Sequence, residues 1–441
     1  MKGLVLAAPS SGAGKTVLTL GLLRALVRSG QPVRAAKSGP DYIDPAFHQA
    51  ACGQPSVTLD AWAMEPATLR ALASGGGTDA TALLLIEGAM GALDAAADGR
   101  GSVAELAGCL DLPVILILNA AKTGQSVALA AAGFRALRPD LRLAGVILNR
   151  IASPRHAALA RAGLEAAGVP VLGAVPRDAA LMLPERHLGL VQASETPGLS
   201  AWLDRAADII AGTVDLAQIR DAATQPRPGG PAKLLPPPGQ RIALARDVAF
   251  SFAYPHLLSG WQSAGAELSF FSPLADEAPD PAADAVLLPG GYPELHAGRL
   301  ADAARFRAGL HAAAARGAWI SGECGGYMVL GDGLVDAQGA RHAMLGLLPL
   351  ETSFAERRLS LGYRLLTPCD RERRESDPDR LAGHEFHYAS VIAQGDAPPL
   401  YAARDAAGTD LGSIGMRRGS VSGSFAHVIG PAPGCPGLNT D

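Results

Sequence analysis

The sequence predicts an α/β protein of two units, each built on a largely parallel sheet, and three observations predict it. Short continuous apolar runs at residues 4–8, 83–86, 114–118 and 145–148 alternate with longer alanine- and leucine-rich stretches up to about residue 220. Apolar runs of strand length without polar alternation are buried on both faces, as parallel strands between helices are. A stretch rich in proline and glycine, residues 224–239, then interrupts the pattern. Proline fixes φ and removes a backbone donor, so neither a helix nor a central strand can run through it. Strand-like runs resume at 241–245, 285–288 and 318–320, with a helical segment at 301–315. The expected division is a first domain over 1–223, a linker over 224–239, a second domain over 240–430 and a loose tail over 431–441. From about residue 340 the pattern turns more β-like and rich in turns.

Bulk properties narrow the function. The 441 residues suffice for two or three domains with their own cores. Hydrophobic residues make up 48% and charged residues 18%, and the net charge is -4 with no long run of one sign. That balance disfavours nucleic acid or an anionic membrane surface as the main partner. No run of 18 apolar residues and no signal-like segment is visible, so a cytoplasmic protein is expected. Five cysteines, Cys52, Cys109, Cys324, Cys369 and Cys435, are widely spaced without a CxxC pair. They suggest a reducing compartment rather than a disulfide framework or a zinc site.

The first run leads into Ala8-Pro9-Ser10-Ser11-Gly12-Ala13-Gly14-Lys15-Thr16, and Leu18, Leu22, Leu23 and Leu26 follow at helical spacing. Strand, glycine-rich turn, Gly-Lys-Thr and helix is the context of a phosphate-binding loop. Backbone N–H groups of Ser11, Gly12, Ala13 and Gly14 can converge on phosphate oxygens at a helix N-terminus. Lys15 can reach the β- and γ-phosphates, and the Thr16 hydroxyl can ligate Mg²⁺. Pro9 stands where the consensus has its first glycine.

Residues 83–86 end in Glu87, and parallel sheets present functional groups at the carboxyl ends of their strands. Glu87 is placed to hold Mg²⁺ directly or through water, or else to cap the next helix. Asp94 supplies a second carboxylate in the same loop. The segment Lys37-Ser38-Gly39-Pro40-Asp41-Tyr42-Ile43-Asp44-Pro45 packs one cation, two acids and an aromatic between stiffening prolines. It suits ligand positioning, with a locally bonded turn as the plainer reading.

Ser321-Gly322-Glu323-Cys324-Gly325-Gly326 follows an apolar strand in the form G-x-C-x-G. Small flanking residues permit a sharp strand-to-helix turn that projects a nucleophile. A helix N-terminus behind Cys324 would lower its pKa. Gly290 and Gly291, after the run at 285–288, could supply an oxyanion hole. The base is left open among His384, His387 and His427.

In combination these motifs resemble the a,c-diamide synthases of corrin biosynthesis, which act on cobyrinic or hydrogenobyrinic acid. Leu148-Asn149-Arg150, residues 183–190, Ala245-Arg246-Asp247, Leu288-Pro289-Gly290-Gly291-Tyr292-Pro293-Glu294 and Gly383-His384-Glu385-Phe386-His387-Tyr388 extend the resemblance over nearly the whole chain. It implies a dethiobiotin synthetase-like P-loop domain followed by a class I glutamine amidotransferase domain of the cobalamin type. The substrates would be ATP, glutamine and the corrinoid macrocycle, hydrogenobyrinic acid rather than its cobalt-containing counterpart, with Mg²⁺ as cofactor and a homodimer as the assembly. ATP would convert the a and c carboxylates to acyl phosphates, and ammonia from glutamine would displace the phosphate. The resemblance places Lys15 and Thr16 at the nucleotide and Asp41, Ile43, Asp44, Glu87 and Asp94 on the substrate and metal side. It makes Cys324 the nucleophile and His427 its partner. The wider class has a glutamate two residues after that histidine, where this chain has Ile429. A cobyric acid synthase and a P-loop partitioning ATPase are the rival expectations.

Overall fold

The computed structural model describes all residues except 76–79, 184, 187–188, 370–377 and 435–441. Most of the expected tail, and part of the stretch at 183–190, therefore lie outside the described residues. The chain divides into two compact units, Met1–Ala232 and Lys233–Asp441.

The first unit is a seven-stranded sheet of β1 (Lys2–Ala7), β2 (Val33–Ser38), β3 (Val57–Leu59), β4 (Leu83–Glu87), β5 (Val114–Asn119), β6 (Leu143–Ile151) and β7 (Val171–Pro176). Their order across the sheet is β3-β2-β4-β1-β5-β6-β7, every pair parallel. Burial on both faces explains the unbroken apolar runs: Leu83, Leu84, Leu85 and Ile86 of β4 are all buried. β1 lies between β4 and β5, so the order reverses beside it and a crevice opens at its carboxyl end. Helix α1 (Lys15–Arg28) starts in that crevice and buries Leu18, Leu20, Leu22, Leu23 and Leu26. The start of the proline-rich segment is fastened to this unit. Thr224 exchanges backbone hydrogen bonds with Gly3 at 2.7 and 3.1 Å, and the Arg227 N–H donates to the Leu110 carbonyl at 2.7 Å.

The second unit carries a ten-stranded mixed sheet. Its parallel half runs, in spatial order, Glu267–Phe271, Arg241–Ala245, Ala285–Leu288, Trp319–Glu323 and Val421–Ser424. The sheet continues antiparallel through Asp410–Arg418, Pro399–Asp405, Ser360–Pro368, Leu381–His387 and His427–Pro431. This is the β-rich region expected after residue 340. The last strand reaches Pro431, and Ala432 is buried with its N–H on the Arg380 carbonyl at 3.0 Å. Ordered backbone thus continues past residue 430, where the tail was expected to begin, because the final strand pairs with Leu381–His387.

Candidate active sites

In the first unit, β1 ends at Ala7 and the chain turns through an exposed loop into α1. Gly12 and Gly14 hold φ of 74° and 93°, values that favour glycine. Gly14 has a second reason to be glycine: an added Cβ would lie 2.3 Å from the Asn149 amide nitrogen. That amide donates to the Ala13 carbonyl at 2.8 Å, so Asn149 at the end of β6 braces the loop from behind. Lys15 is buried and donates to the carbonyls of Met90 and, at 3.4 Å, Ser10. Burial, with Lys37 as a like-charged neighbour, lowers its pKa.

Behind Lys15 the acids converge. The Thr16 hydroxyl donates to Glu87 at 2.6 Å and lies 3.3 Å from Asp44 Oδ2. Glu87 has no solvent exposure; its Oε1 also accepts from Lys37 at 2.9 Å, and its Oε2 is 2.7 Å from His48 Nε2. Lys37 bonds Asp44 as well and lies 3.8 Å from Asp41. Burial alone would raise the Glu87 pKa, but the Lys37 charge and the bonds from His48 and Thr16 override it and hold the carboxyl well below its ordinary value. Asp44 goes the other way: burial and the nearby Asp41 push it up to about 8 despite Lys37. One buried lysine thus serves three carboxylates.

Asp41 accepts the N–H groups of Ile43 and Asp44 at 2.8 and 3.1 Å, fixing the turn into helix α2 (Asp44–Cys52). Tyr42 and Ile43 are buried. Asp94 is exposed and accepts the Gly91 N–H at 2.7 Å, closing the loop after β4. Sequence reasoning did not assign Lys37 or His48 to the site. Lys37 sits opposite Glu87 in the β2–β4 register. His48 follows Asp44 by four residues, on the same face of α2.

Thr16 and Glu87 present hard oxygen donors side by side beside the loop, which fits Mg²⁺. That ion typically takes one or two carboxylates and completes its shell with phosphates and water. Among the described residues no cluster of three or more His, Cys, Asp or Glu makes an all-protein metal cage.

In the second unit, the strand Trp319–Glu323 ends at Cys324, which takes φ 48° and ψ -106° before the helix Gly325–Leu330. A non-glycine residue held there is strained, as nucleophile elbows are. The flanking glycines follow from contact distance. A Cβ on Gly326 would lie 1.8 Å from the Leu288 carbonyl, and one on Gly322 2.7 Å from the Gly326 carbonyl carbon. The neighbouring strand Val421–Ser424 pairs with the nucleophile strand, and its Ser424 carbonyl accepts the Cys324 N–H at 2.8 Å. Three residues on, His427 is wholly buried.

Gly290 joins the two. A Cβ built on it would lie 2.3 Å from His427 Cε1, 3.0 Å from Nε2 and 3.3 Å from Cys324 Cβ. The Gly291 nitrogen lies 3.1 Å from the Cβ position of Gly325, so this backbone faces the elbow. His384 pairs with His427 across the sheet, and His387 stacks on Phe425 at 4.0 Å with Nδ1 3.1 Å from the Ala389 carbonyl. Of the three candidate histidines, His427 is the one brought to Gly290 and Cys324. A Gly290→Ala substitution is expected to lower glutaminase activity at least tenfold and to lower the melting temperature by a few degrees. The methyl must displace the imidazole, and glutamate release beside a thermal melt checks it.

The thiol departs from expectation. Burial, and then the Glu294 charge, push the Cys324 pKa well above its ordinary value instead of lowering it. The short helix behind it does not compensate for removal from water. His427 moves oppositely, to about 3, because burial disfavours imidazolium. Burial thus disfavours the charged form of each group.

Burial also lowers His256 and His387, each to about 4. A histidine depressed in the fold contributes stability above its ordinary pKa and loses it as pH falls toward the folded value. Glu323, raised to about 7 by burial, works the other way between its ordinary value and 7. With three such histidines against one such carboxylate, this unit is expected to lose several kcal/mol between pH 7.5 and pH 4.5. Denaturant midpoints across that range check it; a flat profile would show that these histidines titrate normally.

Two sites of different chemistry, a phosphate-binding loop backed by acids and a cysteine on an elbow, define a glutamine-dependent amidotransferase of the nucleotide-using kind. Comparison agrees. Residues 4–191 match the CobQ/CobB/MinD/ParA nucleotide-binding domain family and residues 241–432 the CobB/CobQ-like glutamine amidotransferase domain family. The hydrogenobyrinate a,c-diamide synthase of Rhizobium meliloti is 55% identical over 429 residues, covering 97% of this chain and 99% of that protein. Those of Brucella anthropi (54%) and Rhodobacter capsulatus (55%) cover 97% of this chain and 98% of their own. The chain belongs to the hydrogenobyrinate a,c-diamide synthase family.

Proposed function

We propose that this protein amidates the a and c carboxylates of hydrogenobyrinate, using one ATP and one glutamine for each. The observation that carries the reading is the pairing of two complete sites within one chain. Lys15 and Thr16 stand against Glu87 and Asp44 in one unit, and Cys324 and His427 meet at Gly290 in the other.

A carboxylate is a poor acyl donor at neutral pH, so one of its oxygens attacks the γ-phosphorus of ATP and ADP departs. Lys15 exchanges the Met90 and Ser10 carbonyls for phosphate oxygens and steadies the charge in transfer. Lys37 and Asp44 stand beside the same cluster on the substrate side. Thr16 and Glu87 would hold Mg²⁺, which would supply further charge neutralisation. Ammonia attacks the acyl carbon of the resulting acyl phosphate, and phosphate leaves.

Glutamine supplies that ammonia. His427 takes the Cys324 proton, and the sulfur attacks the glutamine amide carbon. The developing oxyanion meets backbone N–H groups at Gly290 and Gly291. Return of the proton releases ammonia, and water hydrolyses the thioester to glutamate. Free ammonia in water is mostly protonated near neutral pH, so generating it inside the enzyme preserves the nucleophile.

Cys52, Cys109, Cys324 and Cys369 are unpaired, and no helix among the described residues is long and apolar enough to cross a membrane. The unpaired cysteines support work in a reducing compartment, the cytoplasm.

The test is incubation of the purified chain with ATP, Mg²⁺, glutamine and either macrocycle, read by mass. Monoamide followed by diamide from hydrogenobyrinate is expected. Amidation of cobyrinate alone would reassign the macrocycle, and no amide from either would overturn the reading.

A further inference from the structure

An imidazole that must accept a proton in a buried site needs something at its second nitrogen. That partner fixes the tautomer and stabilises the imidazolium as it forms. Here the need is acute, because burial opposes both the thiolate and the imidazolium. The position two residues after His427 cannot meet it. Ile429 is apolar and fully buried, and its carbonyl is 2.8 Å from His256 Nε2.

A carboxylate does reach the histidine from another direction. Glu323, the residue before the nucleophile, is the last of its strand, and its side chain emerges toward the connection between Val421–Ser424 and His427–Pro431. Its Oε1 accepts the Val428 N–H at 3.1 Å, and its Oε2 lies 3.8 Å from His427 Nδ1. We propose that Glu323 is the positioning residue of the glutaminase site, holding His427 through Nδ1 while Nε2 faces Cys324.

Three observations support the assignment. The Val428 bond anchors the carboxylate to the residue adjoining the histidine, so the two groups move together. The register Glu323↔Ser424 fixes both strand ends in the same layer. Burial raises the Glu323 pKa to about 7, leaving it close to the point where a neighbouring positive charge would ionise it. The gap of 3.8 Å is longer than a hydrogen bond and within ion-pair reach. Other titratable groups around the pair are His384, His387, Glu294, Glu385, Tyr401 and Arg417. The first two oppose charge on His427, and Glu294, Glu323 itself and Glu385 raise the thiol. Glu323 Oε2 lies within ion-pair reach of Nδ1.

The inference rests on Cys324 and His427 being the glutaminase pair, and the experiment separates the two. In the full chain, Glu323→Gln keeps an acceptor for Val428 but removes the charge; Glu323→Asp keeps the charge on a shorter arm. Three quantities are measured: glutamate release, thermal melting, and the pH dependence of Cys324 alkylation by iodoacetamide, read by peptide mass with Cys52 and Cys109 as internal references. For Glu323→Gln, glutaminase kcat is expected to fall roughly tenfold to a hundredfold with KM little changed, the low end of what acid–base groups contribute. The Cys324 alkylation profile should shift, melting should not fall, and Glu323→Asp should recover part of the rate. Wild-type kcat and alkylation profile in Glu323→Gln would overturn the proposal, as would a rate loss matched by a fall in melting temperature. Glutaminase activity surviving in Cys324→Ala would instead overturn the pair itself.

Discussion

Cys324→Ala is expected to abolish glutamine-dependent amidation, by a thousandfold or more, while amidation supplied with ammonium salt at mildly alkaline pH continues. The reasoning starts from the elbow. Cys324 is 2% exposed and sits at φ 48°, a conformation alanine tolerates no worse than cysteine does. Alanine keeps the Cβ and loses only the sulfur, so the cavity is small and the stability cost stays near 1 kcal/mol. The thioester, by contrast, has no substitute nucleophile at Gly290 and His427. On the proposed division, the acyl-phosphate chemistry depends on residues of the first unit, and added ammonia reaches that step without the thiol. Glutamate release and amide formation, measured with each nitrogen source, check this. Continued glutamine use would place the nucleophile elsewhere. Loss of the ammonia-supported reaction in a variant that melts like the parent would mean that the two chemistries are not divided as proposed.

What the sequence disclosed, and what it hid, follows from how local each feature is. The phosphate-binding loop and the cysteine elbow are short strand–turn–helix pieces whose glycines are forced by contacts a few residues away, so their spacing survives in the sequence. Pro9 did not obscure the loop, because Gly12, Gly14, Lys15 and Thr16 carry its geometry. Lys37 was visible as a charge, but its pairing with Glu87 depends on β2 lying beside β4, a neighbour relation between strands fifty residues apart. His48 was hidden by a helix start that had not been placed; once α2 begins at Asp44, the four-residue spacing puts both side chains on one face. The choice among three histidines needed the order of the antiparallel strands. The thiol pKa was misjudged for a different reason. A motif specifies the helix N-terminus behind Cys324, but not how completely the fold removes that sulfur from water or that Glu294 lies near it.

Glu87→Gln is the other substitution with a large expected effect, and it strikes function and stability together. The side chain has no solvent exposure and touches Thr16, Lys37 and His48 at 2.6, 2.9 and 2.7 Å. Glutamine is nearly isosteric, so the packing survives. Its amide nitrogen, however, brings a donor to a cluster in which Lys37 and Thr16 already donate, and the negative charge opposite buried Lys37 is gone. Breaking one side of a buried ion pair costs roughly 3–5 kcal/mol. Asp44 still holds Lys37, so the lower end of that range is expected. Amidation should fall at least a hundredfold with either nitrogen source, because the hydroxyl of Thr16 loses its closer carboxylate partner and the metal-side charge is reduced. Glutamate release should persist, since Cys324, His427 and Gly290 belong to the other unit. Parallel assays of ATP-dependent amidation, glutamate release and denaturant unfolding distinguish the cases. Equal loss of both activities in a folded variant would refute the assignment of Glu87 to the activation site alone. Unchanged amidation would remove Glu87 from that chemistry and leave its buried cluster a purely structural one.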